Sequence, residues 1–259
     1  MTEACLYPRA HHFDHASREW KAAGDEARAK ADALQGVIKA PHSPRQMSAT
    51  VSGTLHGWPL MDTQNTALLK DLLSARRSVR TFTEKPLSLT ALDAFLYAGQ
   101  GRTSKDGKRT APSAHALHPL TLRVVVRQVE GLVPGVYLYD SPTGKLSRIG
   151  DLIDQGTLSS AALGDEQWLE DAPAVIVIVA QREVAIDRFA EQQADGLRGA
   201  RYVDFEAGAA VQNMYLAVTA AGLGGVVVMG FDDLRMKEAL RLERPLFPVA
   251  LFCVGHPLK

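Results

Sequence analysis

The stretch AVIVIVA at residues 174–180 limits the possible folds more than any other part of the chain. It is continuous, mostly β-branched and without polar alternation, so it reads as a strand buried on both faces. Whatever surrounds such a strand has to cover it twice. Residues 202–221 are apolar almost all round and read as a central buried helix, ended by Gly222 and Gly224. Leu68, Leu69, Leu72 and Leu73 recur at helical spacing, and Leu89, Leu92, Phe95 and Leu96 give a second helix capped by Ser88. Strands are expected at 122–129, 226–229 and 247–254, with a hairpin of 136–139 and 145–149 and a short helix from Asp232. Helices and strands mix without strict βαβ alternation, so the class is α+β.

Residues 1–62 read as an extension ahead of a domain at 63–259. A polar helix is expected over 16–34, followed by a Pro-, Gly- and Ser-punctuated stretch over 40–59 that wraps on the body or on a partner subunit. The chain has 259 residues, 46% hydrophobic and 22% charged, as an ordinary soluble protein does. Lys+Arg and Asp+Glu balance at 29 each, which argues against a general nucleic-acid binder. Cys5 and Cys253 form neither a disulfide framework nor a zinc pattern, and no apolar run is long enough to span a bilayer. A cytoplasmic protein is expected.

On that neutral background the stretch SARRSVRTF stands out, with Arg76, Arg77 and Arg80 around Ser78 at the end of a helix. Cations there can simply complement the helix dipole. They can also hold an anion, and a phosphate monoester carries about −1.5 to −2 charges for arginine forks to grip. A second stretch, APSAHALHPL at 111–120, has prolines that fix a non-helical segment, and small residues that let a flat ligand approach the backbone. A structured loop is the plainer reading. His115 and His118 lack a third ligand nearby, so no metal is expected. In a third stretch, 206–225, small residues permit close helix contact, and Gln212 and Asn213 need hydrogen bonds if they are buried.

Together and in this order, the three stretches resemble the nitroreductase-like flavoprotein family. Arg76-Arg77-Ser78-Val79-Arg80-x-Phe82 is similar to its FMN-binding opening motif, and Pro112-Ser113-Ala114 through His118-Pro119 to its flavin loop. Glu206-x-Gly208 to Gln212-Asn213, then Gly222-Leu223-Gly224, resembles its central helix and exit. Gly230-Phe231-Asp232 and Val254-Gly255-His256-Pro257 fit as well. Ser113-Ala114-x-Ala116-Leu117-His118-Pro119 and Gly131-Leu132-x-Pro134-Gly135-x-Tyr137-x-Tyr139-Asp140 are similar to the SagB-type branch, which includes azoline dehydrogenases of peptide natural products.

The resemblance, over residues 65–259, implies a central, mostly antiparallel sheet flanked by helices. It also implies an intertwined homodimer with two FMN sites at the interface. Arg76, Arg77 and Ser78 match positions that bind the FMN phosphate and ribityl chain, and Arg80 the position near the pyrimidine edge. Pro112, Ser113, Ala114 and Ala116 match the loop supplied by the partner chain. Val227, Met229 and Gly230 match the strand whose backbone amides reach flavin N5. Many relatives have asparagine at Ala116 and glutamate at Met229, so contacts here would rely more on backbone. Many also carry basic residues past the last strand; here Arg201 or Lys259 would join Arg76 and Arg77 on the phosphate.

The implied activity is ping-pong. NAD(P)H reduces FMN by hydride transfer to N5, and an electron-poor nitroaromatic, quinone or activated alkene then takes the electrons. No side chain need be a strong acid or base, and His118 is a candidate proton donor. The alternatives are an FMN-dependent dehydrogenase or oxidase of a peptide azoline or other small metabolite, with oxygen as acceptor, or a non-catalytic flavin-binding protein. No second dinucleotide fingerprint is present to separate NADH from NADPH.

Overall fold

The computed structural model describes residues 64–164 and 166–258. The expected extension with its polar helix over 16–34, and Lys259, lie outside the described residues. Ala174–Ala180 forms strand β4, counting β1 as Leu120–Val126, β2 as Gly135–Asp140 and β3 as Lys145–Gly150; β5 is Gly224–Val228 and β6 is Phe247–Gly255. They make one six-stranded sheet in the order β3-β2-β1-β4-β6-β5, every neighbouring pair antiparallel.

β4 is buried at all seven positions because it has a strand on each side and a helical layer on each face. Its residues divide by parity, as strand geometry requires. Ile176 and Ile178 join a core with Phe95, Leu96, Val211 and Met214. Those partners come from α2 (Leu89–Gln100) and α6 (Arg198–Ala220). Val175, Val177 and Val179 join a second core with Leu158, Leu169 and Met236. These lie on α3 (Thr157–Ala161), α4 (Trp168–Asp171) and α7 (Asp233–Ala239). Each fully buried Val or Ile contributes about 1.5–3 kcal/mol, so the run that is most legible in the sequence also anchors both cores.

The helix ends follow local chemistry. The Ser88 hydroxyl accepts the Ala91 N–H at 3.2 Å, as expected, and the Asp232 carboxylate accepts the Arg235 N–H at 2.9 Å at the start of α7. α6 is 23 residues long and begins four residues earlier than its apolar pattern. At its end Gly222 is left-handed (φ 66°); its N–H reaches Thr219 O and the Leu223 N–H reaches Val218 O, both at 3.0 Å. This is a Schellman stop.

Two expectations are corrected. Gly224 does not end the helix; it is the first residue of β5, where a Cβ would stand 2.7 Å from the Val79 side chain. The strand expected over 122–129 runs Leu120–Val126, because the Arg127 and Gln128 N–H groups both turn to Pro173 O at 2.9 Å. The leucines of α1 (Gln64–Ala75) have helical spacing, yet Leu68, Leu69 and Leu73 are exposed. Among the described residues no helix is long and apolar enough to cross a membrane.

Candidate functional site

Segment 76–82 runs from the end of α1 along the edge of β5. Ser78 bridges Gly225 in parallel, and the Val79 N–H donates to Gly225 O at 2.9 Å. Glycine at 224 permits that approach, since a side chain there would meet Val79, while glycine at 225 leaves room for Phe252 of β6. The strip leads to Tyr215 of α6. The Val227 N–H donates to the Tyr215 hydroxyl at 3.0 Å, the Ser78 hydroxyl lies 3.3 Å from the same oxygen, and the Arg76 guanidinium sits 5.0 Å from the ring centroid. Tyr215 therefore gathers three expected site residues from two distant segments. It escaped the sequence reading because a tyrosine in an apolar helix looks like core. The available signal was its hydroxyl, which must find a partner when buried.

The other expected residues are distributed around this point. Arg77 turns back and donates to Ser74 O and Arg76 O, both at 2.8 Å, capping α1. Arg80 lies 5.5 Å over the Trp168 ring, near Glu166, whose carboxyl is raised by burial against the opposing pull of Arg80. Met229 and Gly230 follow β5 and are exposed; Gly230 O accepts the Leu163 N–H at 2.8 Å. Arg201 is exposed on α6.

The loop with Pro112, Ser113, Ala114 and Ala116 lies elsewhere on α6. Glu206 is buried, and its Oε1 accepts the Ala114 N–H at 2.7 Å. The Ser113 hydroxyl accepts the His118 N–H at 2.8 Å, and His115 packs its ring 5.4 Å from Phe189. His115, Ala116 and His118 all have positive φ, between 49° and 54°. Such conformations cost about 1–3 kcal/mol each in non-glycine residues, and persist where surrounding contacts enforce them. Burial raises the Glu206 carboxyl above the ordinary carboxylate range, although the Ala114 N–H, Ser113 and Arg109 pull it down. Burial, and then Arg109, lower His118, so its imidazole is neutral near pH 7. Asn213 is satisfied by Thr110 O at 3.1 Å, and Gln212 is exposed.

Glu206 and Tyr215 are nine residues apart on one helix, which is about 13 Å along its axis. The chain thus presents two separate features along α6: a cationic strip at Tyr215 and a strained small-residue loop at Glu206. The strip suits a phosphorylated flavin by its donor set, three guanidinium groups and a hydroxyl within residues 76–80. Among the described residues the ion pairs fall elsewhere, at Lys108–Asp106, Arg127–Glu170, Arg148–Asp151 and Arg182–Asp204. No group of three or more metal-ligating side chains is found among the described residues.

Comparison with known proteins bears on the family and the fold. A family model described as the nitroreductase family matches residues 73–256. A Methanocaldococcus jannaschii protein named "Putative nitroreductase MJ1384" is 38% identical over 191 residues, covering 74% of this chain and 92% of its own. A crystal structure titled as a putative nitroreductase from Ralstonia eutropha is 25% identical and covers 84% of this chain and 88% of its own, with a TM-score of 0.61. A chain of the E. coli microcin synthetase McbBCD complex shares the fold at 18% identity. It covers 90% of this chain and 93% of its own, with a TM-score of 0.61.

Proposed function

Because the chain belongs to the nitroreductase family, we propose that it is an FMN-dependent oxidoreductase driven by NAD(P)H. An electron-poor acceptor, such as a nitroaromatic, quinone or activated alkene, closes a ping-pong cycle. The observation that carries this reading is the convergence of Arg76, Ser78 and Val227 on Tyr215. FMN, when bound, supplies the two-electron carrier; the chain supplies binding, orientation and electrostatics.

Arg76 and Ser78 would hold the phosphate by charge-assisted hydrogen bonds, with Arg77 released from its capping role to join them. Arg80, over the Trp168 ring, would supply a cation to offset the negative charge that reduced flavin gathers, which would favour the reduced state. The Val227 N–H is already committed to Tyr215, so backbone contacts to the flavin ring fall to Met229 and Gly230. The loop 112–116, held in place by Glu206, would pack its small residues against the ring. His118 is neutral near pH 7, so it orients groups better than it delivers a proton.

The separation of the strip and the loop along α6 supports a homodimer in which the loop of one protomer lies over the flavin held by the other. Exposed Leu68, Leu69, Leu73 and Phe205 are apolar surface such a dimer would bury. A reducing cytoplasm, in keeping with the cysteine usage, would supply the nicotinamide donor.

The test is an anaerobic titration of the FMN-reconstituted protein with NADH and NADPH. Rapid loss of the oxidised-flavin absorption band is the expected result. A bound flavin whose band persists would overturn the NAD(P)H reading in favour of a substrate dehydrogenase or a flavin carrier.

A further inference from the structure

We propose that hairpin 101–110 and His118 form a phosphate-binding groove that reads the 2′-phosphate of the nicotinamide donor and so selects NADPH over NADH. This rests on the reductase reading above.

The hairpin is built, not merely polar. Arg102 and Arg109 bridge across it, the Thr103 N–H reaches Lys108 O at 2.7 Å, and the Thr110 N–H reaches Gly101 O at 2.9 Å. Gly107 makes the turn at φ 89°, with open space where a Cβ would project. Arg102 stiffens the tip by donating from Nε to Ser104 O at 2.7 Å and from its other arm to Lys105 O. The Thr110 hydroxyl donates to Tyr97 O at 2.9 Å and the Asn213 amide to Thr110 O at 3.1 Å, which helps tie the hairpin base to the body.

Two adjoining hollows of about 390 Å³ each share Asp106, Gly107, Arg109 and His118. One opens toward Arg102 and Lys105; the other runs on to Pro112, Ser113 and Ala116. A ligand in this groove therefore has one end among cations and the other at the proposed flavin loop. NADPH has that polarity, with its 2′-phosphate on the adenosine half and its redox ring at the far end of the nicotinamide half.

Arg102, Lys105, Lys108 and Arg109 contribute four cations to a chain of zero net charge. Asp106 is the carboxylate lining both hollows, and it is paired to Lys108 at 3.2 Å. Arg109 lies deeper, with one N–H on Gln100 Oε1 at 2.8 Å and with Asp140 and Glu206 also acting on it. The cationic charge at the mouth comes from Arg102 and Lys105, and Lys108 lines the hollow that runs on to the loop. Lysine point charges beside an arginine fork suit a dianionic phosphate better than an uncharged ribose hydroxyl. Because the mouth is exposed, the attraction is screened by salt.

The deciding experiment has two arms, with wild type and the Lys105→Glu/Lys108→Glu double variant, both FMN-loaded. In the first, anaerobic stopped flow gives the ratio of NADPH to NADH efficiency in flavin reduction. In the second, calorimetry compares binding of 2′-phospho-ADP-ribose and ADP-ribose, which carry no redox ring. The expected result is at least tenfold tighter binding of the phosphorylated fragment by wild type, lost in the variant. The NADPH-to-NADH ratio should fall by a similar factor, and in wild type it should also fall as salt rises. Equal binding of the two fragments, or a ratio unmoved by both charge reversal and salt, overturns the proposal. If neither nucleotide reduces the flavin, the reductase reading fails, and the fragment arm still decides the groove. Should the double variant fold poorly, Lys105→Ala and the salt series on wild type decide the same question.

Discussion

The Val227 N–H donates to the Tyr215 hydroxyl at 3.0 Å, so the last turns of α6 grip the strand that follows it. The same hydroxyl lies 3.3 Å from Ser78 Oγ, and the ring packs edge-on against Phe252 at 4.7 Å. Tyr215→Phe keeps the ring, the packing and the Arg76 stack while removing only the oxygen. It leaves the Val227 amide without its partner, which costs about 1–3 kcal/mol. Urea denaturation should show that loss, and equilibrium dialysis should show weaker FMN binding, by about tenfold.

Gly224 sets how closely the arginine strip approaches the sheet. Gly224→Ala puts a methyl group 2.7 Å from Val79, forcing segment 76–80 outward. Overpacking of this kind costs about 1–3 kcal/mol. The expected outcome is weakened FMN binding with the fold retained by circular dichroism. Adding Val79→Ala should restore much of the affinity, because it removes the atoms that clash.

Glu206 gives a pH dependence with a definite sign. Its folded-state carboxyl is raised by burial above the ordinary 4.5, so the native state holds the proton more tightly than the unfolded chain. Its contribution is therefore fully present below that ordinary value and is lost as pH rises through the raised folded value. Glu206→Gln keeps an acceptor for the Ala114 N–H without the titration. The stability of wild type relative to Glu206→Gln should fall as pH is raised from about 4.5 toward neutrality, in thermal unfolding across a buffer series. A flat difference would contradict this.

Arg127 and Glu170 form a buried pair 2.9 Å apart. Glu170 Oε1 also accepts the Ser159 N–H at 2.8 Å. Glu170→Ala strands a buried guanidinium and should cost about 3–5 kcal/mol. The expected signature is a large drop in the denaturation midpoint, with FMN affinity little changed in the protein that remains folded.

The sequence by itself determined β4, the hairpin of β2 and β3, the central helix, the cap at Ser88 and the start of a short helix at Asp232. Each depends on a local signal: an unbroken β-branched run, turn residues between short strands, apolar periodicity, or a side chain that can accept the next turn's N–H. It also marked the arginine cluster and the small-residue loop, because charge and proline are legible without coordinates. Tertiary structure alone decided what those groups meet. Tyr215 looks like core until the fold brings Ser78, 137 positions away, to its hydroxyl. Glu206 is a helix residue like others until the loop at Ala114, 92 positions away, docks on it. Gly222 and Gly224 look alike in sequence, yet one closes a helix by its positive φ and the other admits a neighbouring chain segment. The physical reason is common to all three. Hydrogen bonding and close packing between distant segments depend on where the backbone returns, and no local propensity encodes that return.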